Sequence, residues 1–155
     1  MKLLIQLGLF AALACTALAQ PNEVEAVRGQ CQTATVVAGN GTIQNCILIP
    51  LTGGAGLPKV PAGKVLVIED VTVRCVKGVN DTLEYVSLVA FPYYREVMPE
   101  LRGTKAGKHV MGGSSLTRVY AGPNTDVKFA VEFINNVTEQ ANCFMSFMGH
   151  YANAK

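Results

Sequence analysis

The chain has 155 residues, half of them hydrophobic, with 13 Lys and Arg against 11 Asp and Glu for a formal net charge of +2. Such a balance offers no concentrated basic surface, and so argues against nucleic acid as a partner. Five cysteines and only two histidines place the chemical interest in the redox compartment first.

The first residues, MKLLIQLGLFAALACTALAQP, carry one early lysine, an apolar run and small residues at Ala17 and Ala19. That is the layout of a secretory signal peptide over residues 1–19. The apolar run is too short for a bilayer core of ~30 Å, so no membrane span is expected. Cys15, after Ala12-Leu13-Ala14, would be the lipidation point of an unusually short lipoprotein leader, and that is the minor reading. Cleavage after Ala19 removes Lys2 and Cys15 and leaves four cysteines: Cys31, Cys46, Cys75 and Cys143. An even number in an exported chain, secreted or periplasmic, reads as two disulfides. The preferred pairing is Cys31–Cys46 with Cys75–Cys143; Cys31–Cys143 with Cys46–Cys75 stays open.

Residues 20–30 (QPNEVEAVRGQ) are polar and aperiodic, and read as a flexible lead-in to a single domain over 31–155. CQTATVV and TIQNCILI follow as strands flanking Ala38-Gly39-Asn40-Gly41, where Asn-Gly suits a hairpin turn. LTGGAGLPKVPAG is a loop by composition. KVLVIEDVTVRCV is a strand pair or one bent strand, with Val71, Val73 and Cys75 on one face and Thr72 and Arg74 on the other. Its Glu69 and Asp70 are neighbours on a strand, so they should face opposite ways. LEYVSLVAF and LTRVYA are further strands. DVKFAVEF alternates cleanly, with Val127, Phe129, Val131 and Phe133 inward. Asn135-Asn136 turns into the last strand, CFMSFMGHY. About eight strands and no amphipathic helix predict an antiparallel β-sandwich, jelly-roll-like or alternatively immunoglobulin-like.

One stretch lacks strand signals: Pro92 to Ser115, in which REVMPELR suits a helical turn. Long ordered loops tend to carry function. Residues 92–113 are therefore the expected contact region, with Tyr93, Tyr94, Arg95, Arg102, Lys105, Lys108 and His109 as candidate ligand-binding residues. Tyrosine stacks on sugar rings and offers a polar tip, so a carbohydrate or cell-surface component is the expected partner. The competing account is that these tyrosines cover a sandwich edge while the charges are solvated. Oligomeric state is not legible here.

Three segments, VPAGKVLVIE (60–69), RVYAGPNTDVKF (118–129) and the closing MGHY (148–151), resemble a loose group of small secreted bacterial proteins. Their recurrent pattern is a P-A-G-K-x-L-V-I-E strand, an R-x-Y-A-x-P-G-T turn and a terminal S-G-Y-L-V strand. The resemblance covers about residues 55–151 and implies a β-sandwich without implying a reaction. The chain departs from that pattern at Gly122, where an acid usually sits, in its four cysteines, and in Met148 and His150.

Two chemistries compete with plain binding. Thioether and imidazole side chains suit copper, and His109, Met111, Met148 and His150 are the ligands a periplasmic copper-binding protein would use; otherwise no cofactor is expected. Alternation along the last strand weakens that set, because Met148 and His150 share a face while Met145 points away with Cys143 and Phe147. The alternative reading is methionines filling core gaps. A hydrolase needs a nucleophile, a base and an orienting group. Gly-Gly-Ser-Ser at 112–115 is no nucleophile elbow, so a non-enzymatic role is expected. Asn40, Asn80 and Asn136 head Asn-x-Thr sequons, which matter only where the host glycosylates them.

Overall fold

The computed structural model describes residues 24–31, 34–37, 39–135 and 137–154. The expected leader and Asn136 lie outside them. The described residues contain ten strands and no helix: β1 Glu25–Cys31, β2 Ala34–Val36, β3 Gly41–Pro50, β4 Lys64–Gly78, β5 Leu83–Ala90, β6 Tyr93–Val97, β7 Glu100–Lys105, β8 Lys108–Ala121, β9 Lys128–Phe133 and β10 Ala141–Asn153. All pairings are antiparallel, in the order β6-β5-β9-β3-β1-β10-β4-β8-β7, with β2 added on β10.

The sheet curls into two layers because two stretches change partners midway. The first half of β3, Gly41–Asn45, pairs with β9, and its second half, Cys46–Pro50, pairs with β1. The chain from Tyr93 to Lys105 does the same: β6 pairs with β5, then β7 pairs with β8. Met98-Pro99 is the crossing point, and proline has no N–H to give to either ladder. One continuous core fills the space between the layers. Phe129, Phe133, Phe147, Leu66, Ile68 and Leu88 are fully buried there, each contributing ~1.5–3 kcal/mol by transfer from water.

Both disulfides join residues directly opposed on neighbouring strands, Cys31–Cys46 between β1 and β3 and Cys75–Cys143 between β4 and β10. The first of the two pairings expected from sequence is the one formed. Val127, Phe129, Val131 and Phe133 all face inward, as does the β10 row Cys143, Met145, Phe147 and Tyr151.

Four expectations are corrected. Residues 25–30 are strand β1, not a flexible lead-in. Its inward positions are Val27, Gly29 and Cys31, and Gly29 lies beneath the Phe147 ring, so the inward row lacks the apolar residue that would signal it. β2 pairs with β10 and not with β3 across the Asn40-Gly41 turn. Residues 92–113 are not a loop with a helical turn; they are β6, β7 and the start of β8. All six β7 residues are exposed, and a strand wet on both faces has no hydrophobic period. Its hairpin turn, Ala106-Gly107, has φ values of 49° and 73°, the primed geometry usually signalled by Asn-Gly.

The fourth correction concerns Glu69 and Asp70. Ile68 and Val71 both point into the core, and the two residues between them are both outside it. Registers with β8 and β10 slip there, so a β-bulge turns both carboxylates to the outer face.

Candidate binding surface

The seven candidate residues of 92–113 fall into three groups, spread along a strand path of twelve steps, about 40 Å at 3.3 Å per residue. The first group occupies the edge strand β6. Tyr93 and Tyr94 are more than half exposed. Arg95 reaches across to β8, its Nη2 donating to Ser115 Oγ at 3.3 Å. β7 covers the outer edge of β8 only from Lys108 to Gly112, so the seam between β6 and the rest of β8 carries no described ladder.

The second group surrounds Arg102. The β7–β8 register shifts between Leu101 and Gly103, which leaves Arg102 as the bulged residue without a partner. Its side chain lies over Gly112, and Arg102 Nε donates to Gly112 O at 3.2 Å. Arg102 Nη2 lies 3.9 Å from Glu100 Oε2. Beside it is a cleft of about 400 Å³ lined by Thr72, Arg74, Arg102, Val110, Gly112 and Ser114. Arg74, on the outer face of β4, is directly opposite Gly112, and Thr72 is opposite Ser114. Arg74 was not a sequence candidate. Its outward face was legible, but its neighbours depend on a register that no local signal reveals.

The third group sits at the hairpin tip. Lys105 and Lys108 are paired in register, and Lys108 Nζ donates to Gln140 O at 3.1 Å and lies 3.7 Å from Glu139 Oε2. His109 is paired with Lys77, whose Nζ lies 3.5 Å from His109 Nδ1. An ammonium only donates, so Nδ1 is the acceptor in that contact. Lys77 is buried and also donates to the carbonyls of Gly78 and Asp81. Burial pushes its ammonium below the usual lysine range, with the Asp81 charge opposing.

Asp81, likewise buried, holds this end of the molecule together. Its carboxylate accepts from Gly78 N–H, Thr138 N–H and the Thr138 hydroxyl. Burial alone would raise its pKa; the two bonds from Thr138, the bond from Gly78 and the Lys77 charge together outweigh that and hold it below the ordinary range. A depressed carboxyl contributes stability above its unfolded pKa of ~3.9 and loses it as the pH falls through the folded value. Asp81→Asn should therefore lower stability by about 2 kcal/mol at pH 7, the worth of a charge-assisted hydrogen bond. Urea unfolding at pH 7 and pH 3 checks this, and the gap to the natural chain should narrow at the lower pH.

The four residues of the copper set are not brought together. His150 is paired with Val67 and His109 with Lys77, ten residues apart on β4, or about 33 Å. Met111 is opposite Cys75 and packs on the core. Met148 is outside, between Arg28 and Asp70. His150 Nδ1 instead lies 3.3 Å from Glu69 Oε2, which the bulge delivers to that face. Among the described residues no three His, Cys, Asp or Glu side chains group to hold a metal. No described helix is long and apolar enough to cross a membrane. Comparison of the chain with protein-family models, curated proteins and solved structures yields no match.

Proposed function

We propose that this chain is an exported, non-catalytic binding or surface-structural module that takes a carbohydrate or other cell-surface component on its β6 edge. The observation that carries this reading is the aromatic run Phe91, Tyr93 and Tyr94, exposed by 82%, 53% and 69%. A tyrosine ring presents an apolar face and a polar tip, which suits a sugar ring. Arg95, held to Ser115, adds an ordered cation on the side of Tyr93, while Tyr94, its neighbour on the strand, presents its ring on the other side of the edge.

Two further features agree with export and with a rigid scaffold. Two disulfides in a chain of this size suit an oxidising compartment, as does the leader-like start at residues 1–19. We read the layers β1-β10-β4-β8 and β3-β9-β5-β6 as the jelly-roll arrangement, because early and late strands interleave in both. The secreted bacterial group resembled by residues 55–151 fits the same reading.

Pull-down on insoluble cell-wall polysaccharide tests it. Replacing Tyr93 and Tyr94 together by Ala should reduce retention about tenfold or more, since buried aromatic anchors are each worth more than ~1 kcal/mol. Both rings are exposed, so the fold should survive, and retention equal to that of the natural chain would remove β6 as the contact surface.

A further inference from the structure

The outer face of the β4–β8–β7 sheet holds a second arrangement, away from the tyrosine edge. Across one row of the sheet stand Arg74, Gly112 and Glu100, directly paired. Gly112 has no side chain, so the row dips at its centre and forms the floor of the cleft of about 400 Å³. A Cβ placed on Gly112 would meet Arg102 Cγ at 3.3 Å, which shows how closely the arginine stem covers the glycine.

The polar side chains that line the cleft, Thr72, Arg74, Arg102 and Ser114, are all able to donate. Arg102 uses Nε on Gly112 O, and its Nη2 has only the 3.9 Å approach of Glu100. Arg74 makes no hydrogen bond or ion pair among the described residues, nor do the hydroxyls of Thr72 and Ser114. Those two hydroxyls face each other in the neighbouring row of the same cleft. Two guanidiniums and two hydroxyls thus border one glycine-floored cleft whose remaining lining is largely apolar (Val73, Val110, Met111), with one exposed carboxylate at the rim. A planar guanidinium matches a carboxylate, sulfate or phosphate through paired N–H donors, at roughly twice the strength of a neutral hydrogen bond.

The bulge at Arg102 is the second structural sign. Glu100 stands in the outer row with Arg74 and Gly112, so counting by twos puts Arg102 on that same face, and as the bulged residue it has no ladder partner on β8. Bulges recur at sheet edges and beside functional sites. We propose that Arg74 and Arg102, with Thr72 and Ser114 above the Gly112 floor, form a binding site for an oxyanion group: a carboxylate, sulfate or phosphate. The group is a free ion or one carried on an acidic polymer, and the site does not depend on the Tyr93–Tyr94 edge.

Amide-shift titration of the whole protein at constant ionic strength tests this, with sodium sulfate as one probe and a polygalacturonate oligomer as the other. Expected are saturable shifts centred on Gly112 and Gly113, with affinity at least tenfold weaker in Arg74→Gln. Arg74 is exposed and unpartnered, so that variant should keep the dispersion of a folded spectrum. Tighter binding of the oligomer than of sulfate would assign the group to a polymer, and equal binding would assign it to a free ion. The Tyr93→Ala/Tyr94→Ala variant should bind both probes unchanged, which separates this site from the proposed edge surface. Shifts that follow Lys105 and Lys108 equally, that persist in Arg74→Gln, or that never saturate would overturn the site.

Discussion

Removing the Cys75–Cys143 bridge by Ala at both positions should cost about 4 kcal/mol, more than half the stability of many small domains. The bridge closes a sequence separation of 68, whereas Cys31–Cys46 closes one of 15. The chain-entropy account assigns the shorter loop about 3 kcal/mol, so the two bridges should be ranked by loop length. Position reinforces the ranking. Cys75–Cys143 joins β4 to β10, the pair at the centre of the larger layer, and every inward residue of β10 depends on that register. A one-residue slip would send Met145, Phe147 and Tyr151 to solvent. Guanidinium unfolding of the two alanine pairs measures both costs. Equal losses, or a larger loss at Cys31–Cys46, would mean that native-state packing and not loop closure sets the contribution.

The parts of the fold that could be read in the sequence share one property: they are wet on one face only. β9 and β10 alternate because one side meets the core and the other meets water, and Val127 to Phe133 and Cys143 to Tyr151 were legible for that reason. β6 and β7 break the rule. They run along an edge, their side chains are exposed on both faces save Val97, and a strand without an inside has no period to detect. Glu69 illustrates a different loss. Counting by twos along 68–71 places Glu69 and Asp70 on opposite faces, but the bulge adds a residue and puts both outside. On β7 counting by twos from Glu100 keeps Arg102 on the outer face, and the bulge sends Gly103 there as well. Bulges are a property of two paired strands, so a single strand's pattern cannot announce them. The candidate site therefore divides: its residue types were legible in 92–113, whereas the convergence of Arg74 with Arg102 depends on the register of β4, β8 and β7. The four residues of the copper set lie apart for the complementary reason, since proximity in composition carried no information about position along β4.

Two glycines on facing strands should respond to Ala in ways that differ by what they touch. At Gly149 an added Cβ would lie 2.1 Å from Val67 O and 3.1 Å from Ile68 Cα, both main-chain atoms of β4. The register shift between Met148 and Gly149 brings the two backbones this close, and only a residue without a side chain permits it. At Gly29 the added Cβ would lie 1.9 Å from Phe147 Cζ, an atom of a buried ring. Each single substitution should cost about 3 kcal/mol or more, at the upper end of overpacking. Their rescue should differ. Trimming the ring in Gly29→Ala/Phe147→Leu makes room for the new methyl, so the pair should be less destabilised than the sum of the singles by about 1 kcal/mol or more. Gly149→Ala/Val67→Ala gains nothing comparable, because the obstacle is the Val67 carbonyl and not its side chain. Thermal unfolding of the four single variants and two pairs provides both cycles. Additive losses at Gly29 would show that Phe147 already yields to the methyl in the single variant, and a rescue at Gly149 would show that β4 can retreat from β10 at the bulge.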